Sequence, residues 1–157
     1  VPAQEAVALG EAGIGASRMQ AGRTAEAVPW MQASLALARE VYGEDSSHVA
    51  NAHNEIANAL HDLARLAEAE EHYRASVALE ADSSGADSLA SAIRLNNLAA
   101  LLEDRGDFAA AEPLARRSLA IREARLPAND GMVLRSRANV ARLLTRMGRL
   151  DEAERYL

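Results

Sequence analysis

The sequence predicts an all-α protein, an α-solenoid of helix-turn-helix repeats, and three observations support that prediction. Apolar residues recur with the 3.6-residue period of an amphipathic helix. The pattern of apolar and small residues then returns every 42 residues through four copies. Hydrophobic residues make up 49% of the chain but aromatic residues only 3%. A core of Ala and Leu suits closely packed helices and argues against a β-sandwich.

The clearest copy is the stretch 93–123, which contains two amphipathic segments joined by a short turn. Leu95, Leu98 and Leu102 lie on one face of the first predicted helix. Gly106 falls in the turn, where a glycine can adopt the positive φ that ends a helix tightly. This stretch therefore predicts a helix, a tight turn and a second helix.

Three sets of positions keep one register through all four copies. They are Gly22, Ala64, Gly106 and Gly148; Ala27, Ala69, Ala111 and Ala153; and Ile14, Ile56, Leu98 and Val140. Ala99 and Ala111 are small where the two helices of a repeat approach closely, so we expect them to face each other. The register predicts one domain over 1–157, with four repeats at approximately 3–43, 45–85, 87–127 and 129–157.

The first repeat is the poorest copy, because three glycines interrupt its first helix: Gly10, Gly13 and Gly15. Each costs about 1 kcal/mol relative to alanine in a helix interior, so we expect a frayed or imperfect helix. The second helix of this repeat is expected from Thr24 to Val41, with Thr24 as its N-cap.

The later helices are expected to begin just after polar residues that share one register, Asp45, Asp87 and Asn129. Their side chains can cap a helix by accepting a backbone N–H. The first helices of repeats two to four are therefore predicted at 46–63, 88–105 and 130–147. Their partner helices are predicted at 66–81, 108–125 and from 150 onward.

The last helix is short because the sequence ends at Leu157. We expect this to leave the apolar face of Val140, Leu143 and Leu144 half covered. Exposed apolar faces tend to be covered by other molecules, so a homotypic contact through this end is predicted. Because the sequence also starts at Val1 without methionine, we expect a fragment of a longer chain.

Catalytic and metal-binding motifs are absent from the sequence. Ser34, Ser76 and Ser118 recur at one small-residue position, which indicates packing and not a nucleophile. The four histidines form no His-X3-His pair, and we expect His53 to pack between helices and His61 to be solvated. No phosphate-binding loop and no GxSxG elbow is present. We predict a protein that is not an enzyme and holds no cofactor or metal.

Composition limits the partners and the location. The net charge of −6 argues against nonspecific binding of nucleic acid. All 17 basic residues are arginine, and with so much alanine this composition is typical of GC-rich bacterial genes. No apolar run reaches the roughly 18 residues that span a membrane, and no signal peptide is evident. We expect a cytoplasmic bacterial protein that binds neither nucleic acid nor membrane.

The third copy contains the segments LNNLA, AEPL and RSLAIRE. With its 42-residue period, it resembles the tetratricopeptide repeat in the long form found in kinesin light chains. The resemblance covers nearly the whole chain and implies a right-handed α-solenoid. It also implies a concave groove, lined by the first helix of each repeat, in which protein ligands lie.

The groove positions of the family place nine residues of this chain as candidate peptide contacts: Asn51, Asn54, Asn58, Asn96, Asn97, Arg135, Asn139, Arg142 and Arg146. An asparagine amide offers both a donor and an acceptor, so a ladder of asparagines can pair with an extended peptide backbone. The three arginines lie at i, i+7 and i+11 on one helix face and could clamp a carboxylate or a phosphate.

Two plainer interpretations of these residues stay open. The arginines could form a solvated face, and the asparagines could make contacts between neighbouring repeats. The carboxylate clamp of chaperone-type repeats uses lysines, which this chain lacks.

The first functional hypothesis is a protein-interaction scaffold that binds an extended, partly acidic peptide in the concave groove. The alternative is a regulatory or sensor domain of a larger bacterial signalling protein, such as a Ser/Thr kinase or a transcription regulator. A third hypothesis is a homotypic assembly module whose exposed ends stack on one another.

Overall fold

The structure is a computed structural model and describes residues 23–156. Its elements in chain order are α1 (Thr24–Tyr42), α2 (Ser47–Asp62), α3 (Leu66–Glu80), a π-helical turn (Ala81–Gly85), α4 (Leu89–Asp104), α5 (Phe108–Arg125), α6 (Gly131–Arg146), α7 (Leu150–Ala153) and a 3-10 turn (Glu154–Tyr156). No strand occurs between residues 23 and 156. The all-α prediction is confirmed, and the imperfect first helix of repeat one lies outside the described residues.

The chain divides into two compact units, Val1–Ser84 and Gly85–Leu157. In the described part of the first unit, α2 packs against both α1 and α3. In the second unit, α5 packs between α4 and α6, and α6 also packs against α7. The described residues thus contain the helix pairs α2–α3, α4–α5 and α6–α7, each joined by a tight turn, as the repeat pattern predicts.

The turn inside each helix pair is a hydrogen-bonded C-cap. The Gly106 N–H donates to the Glu103 carbonyl over 2.9 Å, and the Asp107 N–H donates to the Leu102 carbonyl over 2.8 Å. This pattern needs a positive φ at the residue after the helix. The positions with positive φ in these turns are Ala64, Gly106 and Gly148. The 42-residue register therefore marks a backbone conformation, which glycine adopts readily and Ala64 adopts at a cost.

The N-caps of α2, α4 and α6 lie one residue later than predicted. Ser46 and Ser88 cap α2 and α4 by accepting from the N–H groups of Val49 and Ser91, and Asp130 caps α6. The prediction for Asp45, Asp87 and Asn129 was wrong because two consecutive residues can cap at each site, and the second has the extended backbone of an N-cap. At α1 the difference has the opposite sign: Thr24, predicted as the N-cap, is the first residue of the helix, and Arg23 precedes it as the N-cap.

Buried serines hold the two helices of a repeat together. The Ser76 hydroxyl donates to the Ala50 carbonyl over 2.7 Å, and the Ser118 hydroxyl donates to the Ala92 carbonyl over 2.6 Å. Ser34, at the equivalent position, is also buried. The packing role predicted for these serines is confirmed, and each of the two hydroxyls satisfies its own hydrogen bond in the interface.

The apolar face that was expected to be half covered near the end of the chain is covered in the structure. Val140, Leu143 and Leu144 are almost completely buried, because α7 and the 3-10 turn pack on α6. The prediction of a half-covered face was therefore wrong. The large apolar residues exposed in the second unit are instead Ile93, Leu134 and Leu150.

A network of charged side chains fixes α7 to the rest of the second unit. Arg149 donates to Glu152 over 2.7 Å and to Glu112 of α5 over 2.5 Å, and Arg116 also bonds Glu112. Burial acts to raise the pKa of Glu112, but the hydrogen bonds from Arg116 and Arg149 outweigh it and hold that pKa below its ordinary value. This network explains how so short a helix can cover the apolar face.

Candidate functional site

Helices α4 and α6 of the second unit are linked side by side through polar side chains. The Asn139 amide N–H donates to the Asn96 side-chain oxygen over 3.0 Å. Both residues are only half-buried. Within residues 23–156, the Asn96 NH2 group has no hydrogen-bond partner. It is therefore a donor available to a ligand on this face.

A single buried carboxylate holds two arginines on the same face. Arg142 Nη1 donates to Glu103 Oε1 over 2.7 Å, and Arg146 Nε lies 3.4 Å from that oxygen. The Glu103 side chain is 6% exposed, whereas the side chains of both arginines are 51% exposed. The buried carboxylate thus holds both guanidinium groups in place, while each arginine side chain remains partly exposed to solvent.

A shallow crevice lies between these polar groups. Ala99, Ala100, Ala115 and Leu143 supply its apolar lining, and its polar lining comes from Asn96, Glu103, Asn139 and Arg142. Alanines leave room between α4 and α6 that longer side chains would fill. The candidate site is therefore a polar face with a small apolar recess.

Arg135 lies apart from the other two arginines of α6. It is exposed near the start of the helix, beside the buried Arg122. Burial, and then the charge of Arg135, lower the pKa of Arg122, while Asp130 opposes them. Arg122 donates to the Ser136 hydroxyl. The structure therefore brings Arg142 and Arg146 together on Glu103 and places Arg135 in a different environment.

The candidate asparagines of the first unit lie on α2. Asn51 is exposed and Asn54 is half-buried, whereas the Asn58 oxygen accepts a hydrogen bond of 2.6 Å from the Tyr73 hydroxyl. Burial, with a smaller contribution from Asp62, raises the pKa of Tyr73 to about 12. The Asn58 contact lies within the second repeat, whereas the Asn139–Asn96 hydrogen bond joins neighbouring repeats, which is the alternative that the sequence left open for the asparagines.

The remaining α4 candidate, Asn97, is half-buried one residue from Asn96. His53 is buried between helices, as predicted. His61 is half-buried with its ring edge-on to Tyr73, so the prediction of a solvated His61 was wrong. No group of three or more His, Cys, Asp or Glu side chains in the described part of the chain could hold a metal.

Glu103 was not among the predicted site residues, although it organises the site. Its partners Arg142 and Arg146 follow it by 39 and 43 residues, and Asn139 follows Asn96 by 43. Two residues separated by three fewer or one more than the 42-residue period lie opposite each other on the first helices of neighbouring repeats. A search of the sequence for oppositely charged residues at these separations would have identified Glu103.

The chain belongs to the tetratricopeptide repeat family. The sequence profile described as "Tetratricopeptide repeat" matches residues 4–79, 48–124 and 95–157, which together cover almost the whole chain. Repeats of this family generally mediate protein–protein interaction. Comparison with curated protein sequences gives no match. Among residues 23–156, no helix combines the length and the apolar character that crossing a membrane requires.

Solved structures with this fold include proteins related to kinesin light chains. BtubC (BKLC) from P. vanneervenii is 21% identical with a TM-score of 0.90, over 98% of this chain and 61% of that protein. The putative kinesin light chain repeats of Podosopora anserina are 20% identical with a TM-score of 0.85, over 94% and 70% of the respective chains. At these identities the likeness shows the fold alone, and the chain spans about three fifths of BtubC.

A third similar structure is aspartyl phosphate phosphatase F from Bacillus subtilis. It is 15% identical with a TM-score of 0.79, over 95% of this chain and 38% of that protein. The resemblance to kinesin-light-chain-like repeats that the sequence predicted is confirmed by the family match and by the first two structures.

Proposed function

We propose that the chain is a protein-interaction module that binds an extended, partly acidic peptide on the face shared by α4 and α6. One observation supports this most directly. Glu103 fixes two half-exposed guanidinium groups beside the Asn96–Asn139 pair, so that charged and neutral donors face solvent together. Because their positions are already fixed, a ligand would lose less entropy in using them.

The charge of this face favours an acidic ligand. Arg142 and Arg146 carry two positive charges against the single negative charge of Glu103, and Arg135 adds a third on the same helix. A guanidinium group donates in a planar fork that suits a carboxylate. We propose that the acidic part of the peptide lies over α6, while its backbone pairs with the asparagine amides of α4. Separately, Asn51, Asn54 and Asn58 remain proposed peptide contacts on α2 of the first unit, apart from the α4–α6 face.

A peptide array with a salt titration tests this function. Twelve-residue peptides with zero to four acidic residues are screened against the 157-residue chain, and the tightest acidic peptide is titrated at low and at high salt. We expect the affinity to rise with the number of acidic residues and to fall with salt. An array on which acidic and basic peptides bind equally, or on which nothing binds, would contradict the proposal.

Replacing Asn97 by alanine should weaken binding of that peptide with its salt dependence unchanged. The contact proposed for Asn97 is a neutral hydrogen bond, worth roughly 0.5–1.5 kcal/mol, so the affinity should fall about threefold to tenfold. Fluorescence anisotropy at three salt concentrations measures both quantities. Unchanged affinity would remove Asn97 from the proposed contacts.

Replacing Glu103 by glutamine should strengthen binding of the acidic peptide. Glutamine keeps an oxygen that can accept from Arg142 but removes the charge that opposes the ligand. A screened charge at this range contributes about 1 kcal/mol, so we expect roughly fivefold tighter binding at low salt.

The matched control for this variant is Glu123→Gln. Glu123 also pairs with an α6 arginine, Arg137, over 2.7 Å, but both side chains are more than one-third exposed and away from the crevice. The control should leave the affinity nearly unchanged. Equal effects of the two variants would show that only net charge matters and that the Glu103 position does not.

A further inference from the structure

Two histidines and an arginine connect the three described helices of the first unit. His53 of α2 is 8% exposed. Its Nε2 atom lies 3.4 Å from Nη2 of Arg39 on α1, and its Nδ1 atom lies 2.9 Å from Nδ1 of His72 on α3. Polar side-chain contacts therefore join α2 to both of the helices that pack against it, α1 and α3.

The chemistry of the three groups allows only one arrangement of protons. A guanidinium group can only donate, so Nε2 of His53 must accept from Arg39. A neutral imidazole then carries its single proton on Nδ1, and His53 donates to His72. His72 must therefore accept at Nδ1 and carry its own proton on Nε2. Both imidazoles are neutral in this arrangement.

Adding a proton to either ring breaks the arrangement. A proton on His53 has to go to Nε2, where it would point at the N–H groups of Arg39. A proton on His72 has to go to Nδ1, where it would point at the His53 N–H. In both cases an acceptor becomes a donor, one hydrogen bond is lost, and a new positive charge lies in or beside a buried contact.

The other charged groups near the pair belong to α1, α3 and the turn after α1. Arg39 is itself paired with Glu44, over 3.0 Å, and does not lose its charge. On α3, Glu71 and Glu68 act on His72. Glu68 is already bonded by Arg65 over 2.6 Å.

These surroundings keep both rings neutral at physiological pH. Burial, then His72 and then Arg39 lower the pKa of His53 to about 4. Burial is also the main cause that lowers the pKa of His72, and Arg39 lowers it further. Glu71 and Glu68 act in the opposite direction but do not outweigh these effects. The ordinary pKa of histidine is about 6.5, so the unfolded chain takes up these protons at a higher pH than the folded one.

We propose that the His53–His72 pair and Arg39 form a proton-sensitive junction that holds α1 and α3 on α2 at neutral pH and loosens when either imidazole is protonated. The direction of this pH dependence follows from the linkage between proton binding and folding. Because the folded-state pKa values are lowered, the junction contributes its full stability above about pH 6.5 and loses it as the pH falls towards 4. This inference does not depend on the proposed peptide site, because Arg39, His53 and His72 are not among the proposed peptide contacts.

Nitrogen NMR of the imidazole rings tests the arrangement directly. At pH 7 we expect His53 to carry its proton on Nδ1 and His72 to carry its proton on Nε2. Both rings should titrate below their ordinary range. The opposite tautomer at His53, or protonation of both rings near pH 6.5, would overturn the proposal.

Hydrogen exchange of the backbone amides tests the consequence. After correction for the intrinsic effect of pH, opening of α1 amides should increase about tenfold between pH 7 and pH 5, relative to α6 amides. In His72→Asn the side-chain oxygen replaces the accepting nitrogen but cannot be protonated, so the pH effect should shrink. In the double variant His53→Asn, His72→Asn it should disappear.

The remaining two histidines provide matched controls. His48 is stacked on Tyr42, and His61 lies edge-on to Tyr73, so neither belongs to the junction. His48→Asn and His61→Asn should keep the full pH response of the parent. An equal loss of response in these controls, or a parent whose α1 and α6 amides respond equally to pH, would overturn the proposal. If the double variant fails to fold, the NMR measurement on the parent and the His72→Asn variant still decide between the outcomes.

Discussion

Simultaneous replacement of Arg135, Arg142 and Arg146 by alanine is expected to weaken binding of the acidic peptide about tenfold or more and to flatten its salt dependence. Exposed ion pairs contribute only about 0.2–1 kcal/mol each, so a single arginine would be hard to detect. Three together exceed the error of a binding measurement. Screening acts on these charges, and the salt dependence should therefore fall when they are removed.

The control for this variant removes the same charge from other surfaces. Arg74, Arg117 and Arg137 each have an exposed ion pair, with Glu70, Asp87 and Glu123 respectively. Alanine at these three positions should leave the affinity within about twofold of the parent value. Anisotropy titrations of the parent and both triple variants, at low and at high salt, make the comparison.

The structure also separates the contributions within the triple variant. Arg142 and Arg146 share Glu103, whereas Arg135 lies beside Arg122. We therefore expect the variant Arg142→Ala, Arg146→Ala to account for most of the loss. If the triple variant binds as tightly as the parent at both salt concentrations, the arginines form only a solvated face.

Replacement of Ala111 by leucine should cost roughly 1–3 kcal/mol of folding free energy. Ala111 is completely buried where α5 packs on α4, and Ala99 of α4 is also buried. A longer side chain would have to push the helices apart or adopt a strained rotamer. Ala99→Leu should cost a similar amount for the same reason.

Ala109→Leu is the matched control for this prediction. Ala109 is exposed on the same helix, two residues away, so leucine there meets solvent instead of α4. Thermal unfolding followed by circular dichroism should show a loss of about 2 °C or more per kcal/mol for the buried variants and little change for the control. A buried variant that melts within a degree of the parent would count against close approach at these alanines.

The 42-residue register allowed most of the fold to be predicted. The helix predicted at 130–147 is observed at Gly131–Arg146, and the one predicted at 108–125 is observed at Phe108–Arg125. Helix boundaries follow from local chemistry that the register repeats, namely the glycine turn and the polar cap. The choice between Asp45 and Ser46 as N-cap depends on backbone geometry, which composition does not reveal.

The site was predictable only in part, because its central contacts join residues about 40 positions apart. The groove positions identified Asn96, Asn139, Arg142 and Arg146, and the structure brings all four together. The anchoring role of Glu103 depends on its burial. A charged residue in a polar segment is ordinarily expected to be exposed, so the sequence did not predict this role. The burial of Val140 depends in the same way on a short helix that its neighbours stabilise.

The guanidinium chemistry of the candidate face also limits how the cell could regulate it. Arg142 uses separate nitrogens to bond Glu103 and Asn139 and still presents part of its side chain to solvent. An ammonium group at this position would be a compact point charge without that fork. Acetylation, which switches many basic surfaces by neutralising lysine, has no target side chain here, since every basic residue of this face is arginine. Arginine methylation would instead block individual donors while leaving the charge in place, and so would alter hydrogen bonding to a ligand more than electrostatic attraction.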